Sequence, residues 1–453
     1  MQGKAPLIAG LLAGAAALAL VGFATTREAA HTPAASSSAT SSPTPSAKSA
    51  PSAAAGGSVT QHARDTAVWK VPVLPDDPVQ GQRDALVTIV AFSELESSFC
   101  KKAAETLDQL MKEHPYDLRV VWKDYPQPFD TRALPAALFA RAVYQKLGND
   151  AFWRAQDLVF ASQPKLENAD LAAVASKLGL PATFVTEALE EPALAKRVDQ
   201  SIALGFDVQA KGIPHLFING LRLAGAQPLD KVRQRLDEAL VKAHALVESG
   251  VARDRVYETI IANGQELPPL VQRNVAAPDS NAPAWGAPKA PVVLEFWSAF
   301  PCAACVGTID QLQELEREYG GSIKLVFRFA EPEPLRTLAI EATREAFSQQ
   351  GLTGLKAWHT RLADRRPDEA EISWQLERAS LEKLAEETRL DLARFRAALD
   401  SKRHRKATRS DAEAARKAGI SAPAFVVNGY YLAGAQPNFA LRRAIQHARN
   451  ASR

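Results

Sequence analysis

The sequence predicts an α/β protein of two tandem domains, each with a central mixed sheet and a helical insertion. Three observations lead to this prediction. Two of the only three cysteines, Cys302 and Cys305, stand two residues apart directly after an apolar run, and Cys100 follows a similar run 205 residues earlier. Further residues match between the two halves at nearly constant spacing. Each half also contains an Asn-Gly pair between short apolar runs, which is typical of a β-hairpin.

The repeat is visible along most of both copies. Five positions of the first copy match positions 205 residues later: Ala85, Ser93, Ser97, Cys100 and Trp153 align with Ala290, Ser298, Cys302, Cys305 and Trp358, and all but Ser97 are identical. Residues 223–228 recur as residues 432–437, which is 209 positions on, so the second copy carries a small insertion. At about 170 residues, each copy is long enough to bury a core of its own.

Each copy has the predicted order strand, helix, strand, several helices, hairpin, helix. In the first copy, Val, Ile and Phe indicate buried strands at 86–92 and 119–123, and apolar periodicity indicates helices between 132 and 206. Asn219-Gly220 marks the hairpin, and a helix follows over 229–248. A further helix, 252–262, and a Pro-rich linker lead to the second copy.

The first 65 residues are expected to lie outside both domains. Residues 1–24 contain a twenty-residue stretch without charge, 5–24, which predicts either a cleaved signal peptide or an uncleaved membrane anchor. Both alternatives export the chain. Residues 25–65 are mostly Ser, Ala, Pro and Thr, a composition that favours a disordered linker. The predicted domains are 66–250 and 284–453, joined by a helix and linker at 251–283.

Composition argues against two classes of function. A formal net charge of +3 over 453 residues gives no reason to expect nucleic-acid binding. The pair Cys302 and Cys305 supplies only half of a zinc tetrahedron, since there is no second CxxC motif and the eight histidines lack ligand spacing. We therefore expect neither a metal site nor a cofactor.

The motif and its surroundings resemble a known family. A CxxC motif after the first strand, a helical insertion, and then a proline before an Asn-Gly hairpin make each copy similar to a DsbA-like thiol-disulfide oxidoreductase of thioredoxin fold, with the first copy degenerate. Glu295-Phe296-Trp297 also resembles the thioredoxin first strand. The resemblance implies that Pro214 and Pro423 are cis prolines that face the active site.

The expected chemistry assigns a role to each residue of the second copy. Cys302, at the first turn of a helix, is predicted as the nucleophile, because free backbone N–H groups there favour the thiolate. Cys305, three residues on, is predicted to resolve mixed disulfides. Glu295 is a candidate proton acceptor for Cys305 if its carboxylate lies beneath the dithiol; the alternative is a surface residue on a half-buried strand. Pro423 is expected to shape the substrate surface.

The first copy has Ser97 in place of the nucleophile, while Cys100 and Pro214 remain. Serine is a good helix N-cap, so the helix is expected to survive while the redox chemistry does not. The alternative is that Cys100 forms mixed disulfides as a lone thiol.

Two functions remain open. The first is an exported thiol-disulfide oxidoreductase that acts on exported proteins with thiols or disulfides and is reset by a membrane redox partner. It would work in the periplasm or another extracytoplasmic space, and the N-terminal segment is a candidate inner-membrane anchor. The alternative is a peptide-binding or chaperone-like protein that uses thioredoxin-fold surfaces. The sequence leaves the direction of electron flow, oxidase, reductase or isomerase, undecided.

Overall fold

The computed structural model describes residues 66–330, 334–363 and 376–452. They fall within one compact unit, His62–Arg453. The predicted signal or anchor, 1–24, and the predicted linker, 25–65, lie outside the described residues. Within the described ranges, the structure contains no helix that is both long enough and apolar enough to span a bilayer.

The first domain has the predicted order of elements, with one additional edge strand. Its strands are β1 (Val79–Gly81), β2 (Val87–Ser93), β3 (Leu118–Asp124), β4 (His215–Ile218) and β5 (Leu221–Ala224). Its helices are α1 (Ser98–Glu113), α2 (Ala133–Leu147), α3 (Asn149–Ser162), α4 (Asn168–Lys177), α5 (Phe184–Glu190), α6 (Pro192–Asp207), α7 (Leu229–Glu248) and α8 (Val256–Ile261).

The sheet of the first domain is mixed, as predicted, with strand order β1-β3-β2-β4-β5. The central strands β2 and β3 are parallel, and the other neighbours are antiparallel. Parallel strands need a crossover connection, which α1 provides. Both central strands are buried along their whole length, which explains their nearly continuous apolar sequence. Helices α2 to α6 form the insertion between β3 and β4.

The second domain repeats this plan, with Ala284–Gly286 in the place of β1 and one extra edge strand, Val271–Gln272. Its strands are β6 (Val271–Gln272), β7 (Ala284–Gly286), β8 (Val292–Ser298), β9 (Ile323–Phe329), β10 (Ala424–Val427) and β11 (Tyr430–Ala433), and its sheet order is β6-β11-β10-β8-β9-β7. Its helices are α9 (Thr308–Tyr319), α10 (Pro334–Ala363, kinked at Gly351), α11 (Arg378–Glu387), α12 (Leu392–Asp400), α13 (Arg405–Ala418) and α14 (Asn438–Ser452). The order of strands and helices that the sequence predicts is therefore present in both domains.

Both hairpins turn at the predicted Asn-Gly pairs. Asn219 and Asn428 have φ angles of 44° and 45°, and the glycines that follow them have φ angles of 79° and 90°, as a two-residue type I′ turn requires. The asparagines also reach back to the central strand: the Asn219 side chain accepts from the Thr88 amide at 2.8 Å. In the second domain the Asn428 side chain accepts from a backbone amide of β8 at 2.8 Å. These side chains therefore fix each hairpin to its sheet.

The two domains contact each other through α6 and α14. The rings of Phe206 and Phe439 meet edge to face with centroids 5.2 Å apart. Asp207 lies between Arg443, whose Nε is 2.6 Å from Oδ1, and His447, whose Nε2 is 3.0 Å from the same oxygen. Burial acts to raise the pKa of Asp207, but the hydrogen bonds from His447 and Arg443 outweigh it and lower the pKa. The interface therefore combines an apolar contact with a charged one.

Candidate functional site: a disulfide at the end of the central strand

The predicted dithiol is closed as a disulfide between Cys302 and Cys305, with their Cα atoms 5.3 Å apart. It lies in the loop that follows β8, the central strand of the second sheet. Cys302 is partly exposed, whereas Cys305 is 0 % exposed and belongs to the main core cluster together with Phe296 and Phe300. The residue of the pair that is open to solvent is therefore Cys302.

The helix expected at the dithiol does not begin there, which corrects one expectation from the sequence. Cys302 precedes a single 3-10 turn, Ala303–Cys305; Val306 is extended, and Gly307 has a left-handed φ of 79°. The α-helix α9 begins only at Thr308. A glycine enters this left-handed region without steric cost, so it ends the turn before a helix can propagate. The argument that a helix N-terminus activates Cys302 therefore does not apply.

Glu295 is buried in the middle of β8, which rules out the alternative of a surface residue, and its partner is a cation. Its carboxylate meets the Arg328 guanidinium at 3.0 Å. Burial raises the pKa of Glu295, and Arg328 counteracts part of that shift. Alternation along the strand places Glu295 on the face of Trp297, whereas Cys305 packs with Phe296, which points to the other face. Its action as proton acceptor for Cys305 stays a prediction.

Pro423 stands immediately before β10, whose first residue, Ala424, pairs with Trp297 near the end of β8. It therefore lies at the edge of the sheet from which the dithiol loop leaves. The bonds Ala422-Pro423 and Ile213-Pro214 are both cis, as the resemblance implies. Pro214 has the same position in the first domain, ahead of β4.

Two further residues on the dithiol face were missed in the sequence. Ser298, the last residue of β8, places its Oγ 2.9 Å from Nε2 of His359, which lies on α10. His359 is buried against the rings of Phe296, Phe300 and Phe327, and burial lowers its pKa to about 4. The match of Ser298 to Ser93 was visible in the repeat, but its partner was not, because the two side chains are 61 residues apart along the chain.

A buried ionic cluster beneath each sheet was also missed. In the second domain Arg328 on β9 binds both Glu295 and Asp411, at 3.0 and 2.7 Å. In the first domain the same strand position holds Lys123, which pairs with Asp77 at 2.5 Å, while burial lowers the pKa of the lysine. A basic residue directly after a large aromatic residue near the end of each strand was the available signal for both.

The first domain keeps the shape of the site without the dithiol. Ser97 caps α1, and its Oγ accepts from the Cys100 amide at 3.4 Å, so the predicted N-cap is confirmed. Cys100 is a free, buried thiol. Burial raises its pKa to about 11, although a hydrogen bond from Ser93 favours the thiolate. A thiol this buried and this weakly acidic is a poor nucleophile, which argues against the lone-thiol alternative.

A protonated carboxyl group lies beside this degenerate site. Glu94 follows β2, is buried, and accepts from the Gln127 amide at 2.7 Å. Burial raises its pKa to about 9, and the neighbouring carboxyl of Asp130 adds to the shift. Glu94 is therefore neutral at pH 7 and can donate a hydrogen bond.

Together, the paired sheets, the helical insertions and the disulfide after a central strand define a protein with two thioredoxin-type domains, of which the second has a CxxC pair. Comparison with known families agrees with this description. A family model described as Thioredoxin matches residues 74–238 and 279–447. The chain belongs to the thioredoxin family, and the two matches confirm the predicted tandem arrangement of two copies.

Individual relatives match over about one domain. The chain is 30 % identical over 200 residues to Na(+)/H(+) antiporter NhaA 3 of Salinispora tropica, covering 44 % of this chain and 29 % of that protein. It is 31 % identical over 164 residues to Na(+)/H(+) antiporter NhaA of Herminiimonas arsenicoxydans, covering 35 % and 25 %. The chain thus spans less than a third of the length of these relatives.

Two solved structures resemble one domain at low identity. Oxidised BdbD from Bacillus subtilis is 20 % identical, with a TM-score of 0.35, over 38 % of this chain and 98 % of that one. A periplasmic thioredoxin-like protein from Salmonella enterica serovar Typhimurium is also 20 % identical, with a TM-score of 0.34, over 38 % and 94 %.

Proposed function

We propose that this protein is an exported thiol-disulfide oxidoreductase that exchanges disulfides with other exported proteins through Cys302 and Cys305. The observation that carries the proposal is the disulfide itself, with one sulfur partly exposed and the other buried in the core. This asymmetry suits a two-step exchange, because the client reaches one sulfur while the other stays protected until it is needed.

The exchange balances without a cofactor. A client thiolate attacks Sγ of Cys302, the Cys302–Cys305 bond breaks, and Cys305 leaves as a thiolate that takes up a proton. A second client thiolate then attacks the mixed disulfide, which forms the client disulfide and releases reduced Cys302. Run in reverse, the same steps reduce a client disulfide. Glu295 is the proposed proton acceptor for Cys305, and Pro423 is proposed to shape the surface along which the client lies.

The first domain is proposed to be redox-inactive and to bind clients. Ser97 cannot form a disulfide, and Cys100 is buried beneath it. Phe99, between them, exposes 61 % of its surface, which is unusual for a large apolar side chain. Pro214 stands at the position that corresponds to Pro423. A surface of this kind supports contact with unfolded or extended chains.

Export and resetting are further parts of the proposal. The uncharged stretch within residues 1–24 supports export to the periplasm or another extracytoplasmic space, either by a cleaved signal or with an anchor retained in the inner membrane. There, disulfides form and persist. A membrane redox partner is proposed to restore the dithiol after each turnover.

The second candidate function is a peptide-binding or chaperone-like activity. It is favoured by the exposed apolar side chains near the degenerate site, Phe99 and Phe129, the second of which exposes 75 % of its surface. In this alternative the disulfide is incidental to binding.

One experiment separates the two candidates. A scrambled or reduced client protein is incubated with the wild type, Cys302→Ser, Cys305→Ser and, as the matched control, Cys100→Ser. We expect the first two variants to lose disulfide exchange and the control to keep it. If the Cys302→Ser and Cys305→Ser variants lose exchange but still protect the client from aggregation, the protein has a separate binding activity. If the wild type protects the client but exchanges no disulfides, only the second candidate function is supported.

A further inference from the structure

The dithiol face of the second domain carries a polar pair within an apolar core. Ser298 and His359 are both buried, and the three aromatic rings around the imidazole leave Ser298 as its hydrogen-bond partner among the described residues. Burial lowers the pKa of His359 to about 4, so the ring is neutral at pH 7. A buried polar pair has a cost in stability unless it is satisfied, which calls for a function or a structural reason.

The first domain shows what a serine does at this position. Ser93 is the last residue of β2, just as Ser298 is the last residue of β8, and Cys100 and Cys305 follow each serine by seven residues. In the first domain the cysteine is a free thiol, and Ser93 makes a hydrogen bond to it that favours the thiolate. The contact between Ser93 and the free thiol of Cys100 therefore indicates how Ser298 is arranged when Cys305 is reduced.

When the imidazole hydrogen is on Nε2, so that His359 donates to Oγ of Ser298, the oxidised second domain leaves the serine hydrogen without a good acceptor. Besides His359, the described part of the chain offers the Ser298 hydroxyl only the Ala299 carbonyl, at a distance of 3.4 Å, where a hydrogen bond is weak. A thiolate on Cys305 is a stronger acceptor, because hydrogen bonds to charged groups are about twice as strong as neutral ones. The hydroxyl thus gains a partner when the disulfide opens.

We propose that Ser298 donates its hydroxyl hydrogen to the sulfur of Cys305 when the disulfide is reduced, and that His359 positions the serine by donating its Nε2 hydrogen to Oγ. The inference rests on the proposed function, since it concerns the resolving thiol of that reaction. Ser298 is the residue that contacts the reacting sulfur, and His359 is a positioning residue that acts through it.

The pair acts in both directions of the exchange. When a client attacks Cys302, Cys305 is the leaving group, and the hydroxyl stabilises the departing thiolate. When Cys305 attacks a mixed disulfide on Cys302, the same contact keeps a larger fraction of Cys305 as thiolate at a given pH. In the described ranges, the titratable groups Cys302 and His359 lie on this face, whereas Glu295 and Arg328 pair on the opposite face.

The test measures the pKa of the Cys305 thiol directly. In Cys302→Ser protein with Cys100→Ser, labelled Cys305 is titrated by its Cβ chemical shift, with and without Ser298→Ala. We expect Ser298→Ala to lower the acid dissociation constant about tenfold, the effect of one charge-assisted hydrogen bond. Ser298→Thr, which keeps the hydroxyl, should remain near the parent value. An unchanged titration in Ser298→Ala would overturn the proposal.

His359 is tested by its effect through the serine. His359→Phe should raise the pKa of Cys305 in the presence of Ser298 and have no further effect in Ser298→Ala protein, whereas His359→Gln, which keeps a donor, should restore part of the loss. Equal and additive effects in both backgrounds would overturn the positioning role. Thr343→Val removes another buried hydroxyl, one that bonds within α10 to Ala339, and should leave the titration unchanged.

A first-domain variant and a measurement without client protein keep the test decisive. If the second-domain variants do not fold, Ser93→Ala tests the same contact on Cys100, whose pKa should rise further; an unchanged value would overturn the inference. The titrations need no client, so failure of the proposed function, seen as a wild type that exchanges no client disulfides, is distinguishable from failure of the serine contact.

Discussion

Arg443 and Asp207 join the last helix of the second domain to the first domain, with Nε and Oδ1 2.6 Å apart. Because His447 contacts the same carboxylate at 3.0 Å, the aspartate is the centre of the polar part of the interface. The interface also buries an apolar contact, the edge-to-face pair of Phe206 and Phe439. Two domains that each have a core of their own are thereby held in one arrangement.

Asp207→Asn is expected to weaken this coupling by about 1–2 kcal/mol, because the pair is partly buried and loses its charge. The folded-state pKa of Asp207 lies below the ordinary 3.8, so the contribution of the carboxylate is present above about pH 4 and is lost as pH falls through the lower, folded-state value. Calorimetry should show the unfolding transitions of the two domains moving apart. Asp230→Asn, which removes an exposed pair with Arg233, is the control and should not separate them.

Glu94→Gln is expected to stabilise the first domain at pH 8 and to flatten its pH dependence. The pKa of Glu94 is raised to about 9, so its stabilising contribution is fully present below about pH 4.5 and is lost as pH rises through 9. Glutamine reproduces the neutral carboxyl and can still accept from Gln127. Denaturant unfolding between pH 5 and 9 checks this. If Glu96→Gln, on the same loop, flattens the profile equally, the assignment to Glu94 is wrong.

After reduction, Cys302 is expected to be alkylated before Cys305, because only the first sulfur is open to solvent. The expectation rests on access, since the structure gives Cys302 no place at a helix N-terminus. Mass spectrometry of partially alkylated, digested protein gives the order. Cys100 is the internal control: it is buried, and its raised pKa should make it the slowest of the three.

Ser97→Cys is expected to create a second disulfide, with Cys100, under mild oxidation. Ser97 already occupies the N-cap of α1, and its side chain reaches the Cys100 amide, which puts the two side chains on one turn. Thiols are counted by mass in a background with Cys302 and Cys305 replaced by Ser. Ser98→Cys, one residue on, should leave both thiols free. Two persistent thiols in Ser97→Cys would contradict the equivalence of the two sites.

Arg328→Met is expected to lower the free energy of unfolding by about 3–5 kcal/mol, because it removes the cation that pairs with the buried Glu295 carboxylate and one of the two that pair with Asp411, the other being Arg344. Urea denaturation at pH 7 measures it. Lys356→Met breaks an exposed pair with Asp310 in the same domain and should cost less than about 1 kcal/mol. Equal losses of unfolding free energy in the two variants would mean that the buried pairs of Arg328 stabilise the domain no more than an exposed pair does.

The fold was predictable from the sequence where short-range signals determine it. The two Asn-Gly turns, the apolar central strands and the helix 229–248 depend on neighbours along the chain, and the structure has each of them. The edge strands β1, β6 and β7 were not predicted, because two or three residues carry too little pattern and their pairing is decided by the sheet they join.

The cysteine pair of the site could be predicted from the sequence, whereas the turn that follows it and the side chains around it could not. The CxxC spacing alone indicates a disulfide, and the structure closes one. The break at Gly307 was missed because a single glycine is compatible with a helix until the local φ is known. His359 lies 61 residues from Ser298 along the chain, and Asp411 lies 83 residues from Arg328. Both contacts depend on tertiary packing, which no local sequence pattern indicates.

Lys123 and Arg328 occupy the same strand position in two domains that differ in having a cysteine pair. The chain thus contains its own comparison: where Ser97 and Val90 stand at the positions of Cys302 and Glu295, the buried cation persists and takes a different anion. A buried cation that is present both with and without the cysteine pair belongs to the architecture of the fold. Searches for reactive residues in chains of this kind should therefore discount a buried base on this strand and give weight to the groups that differ between the halves.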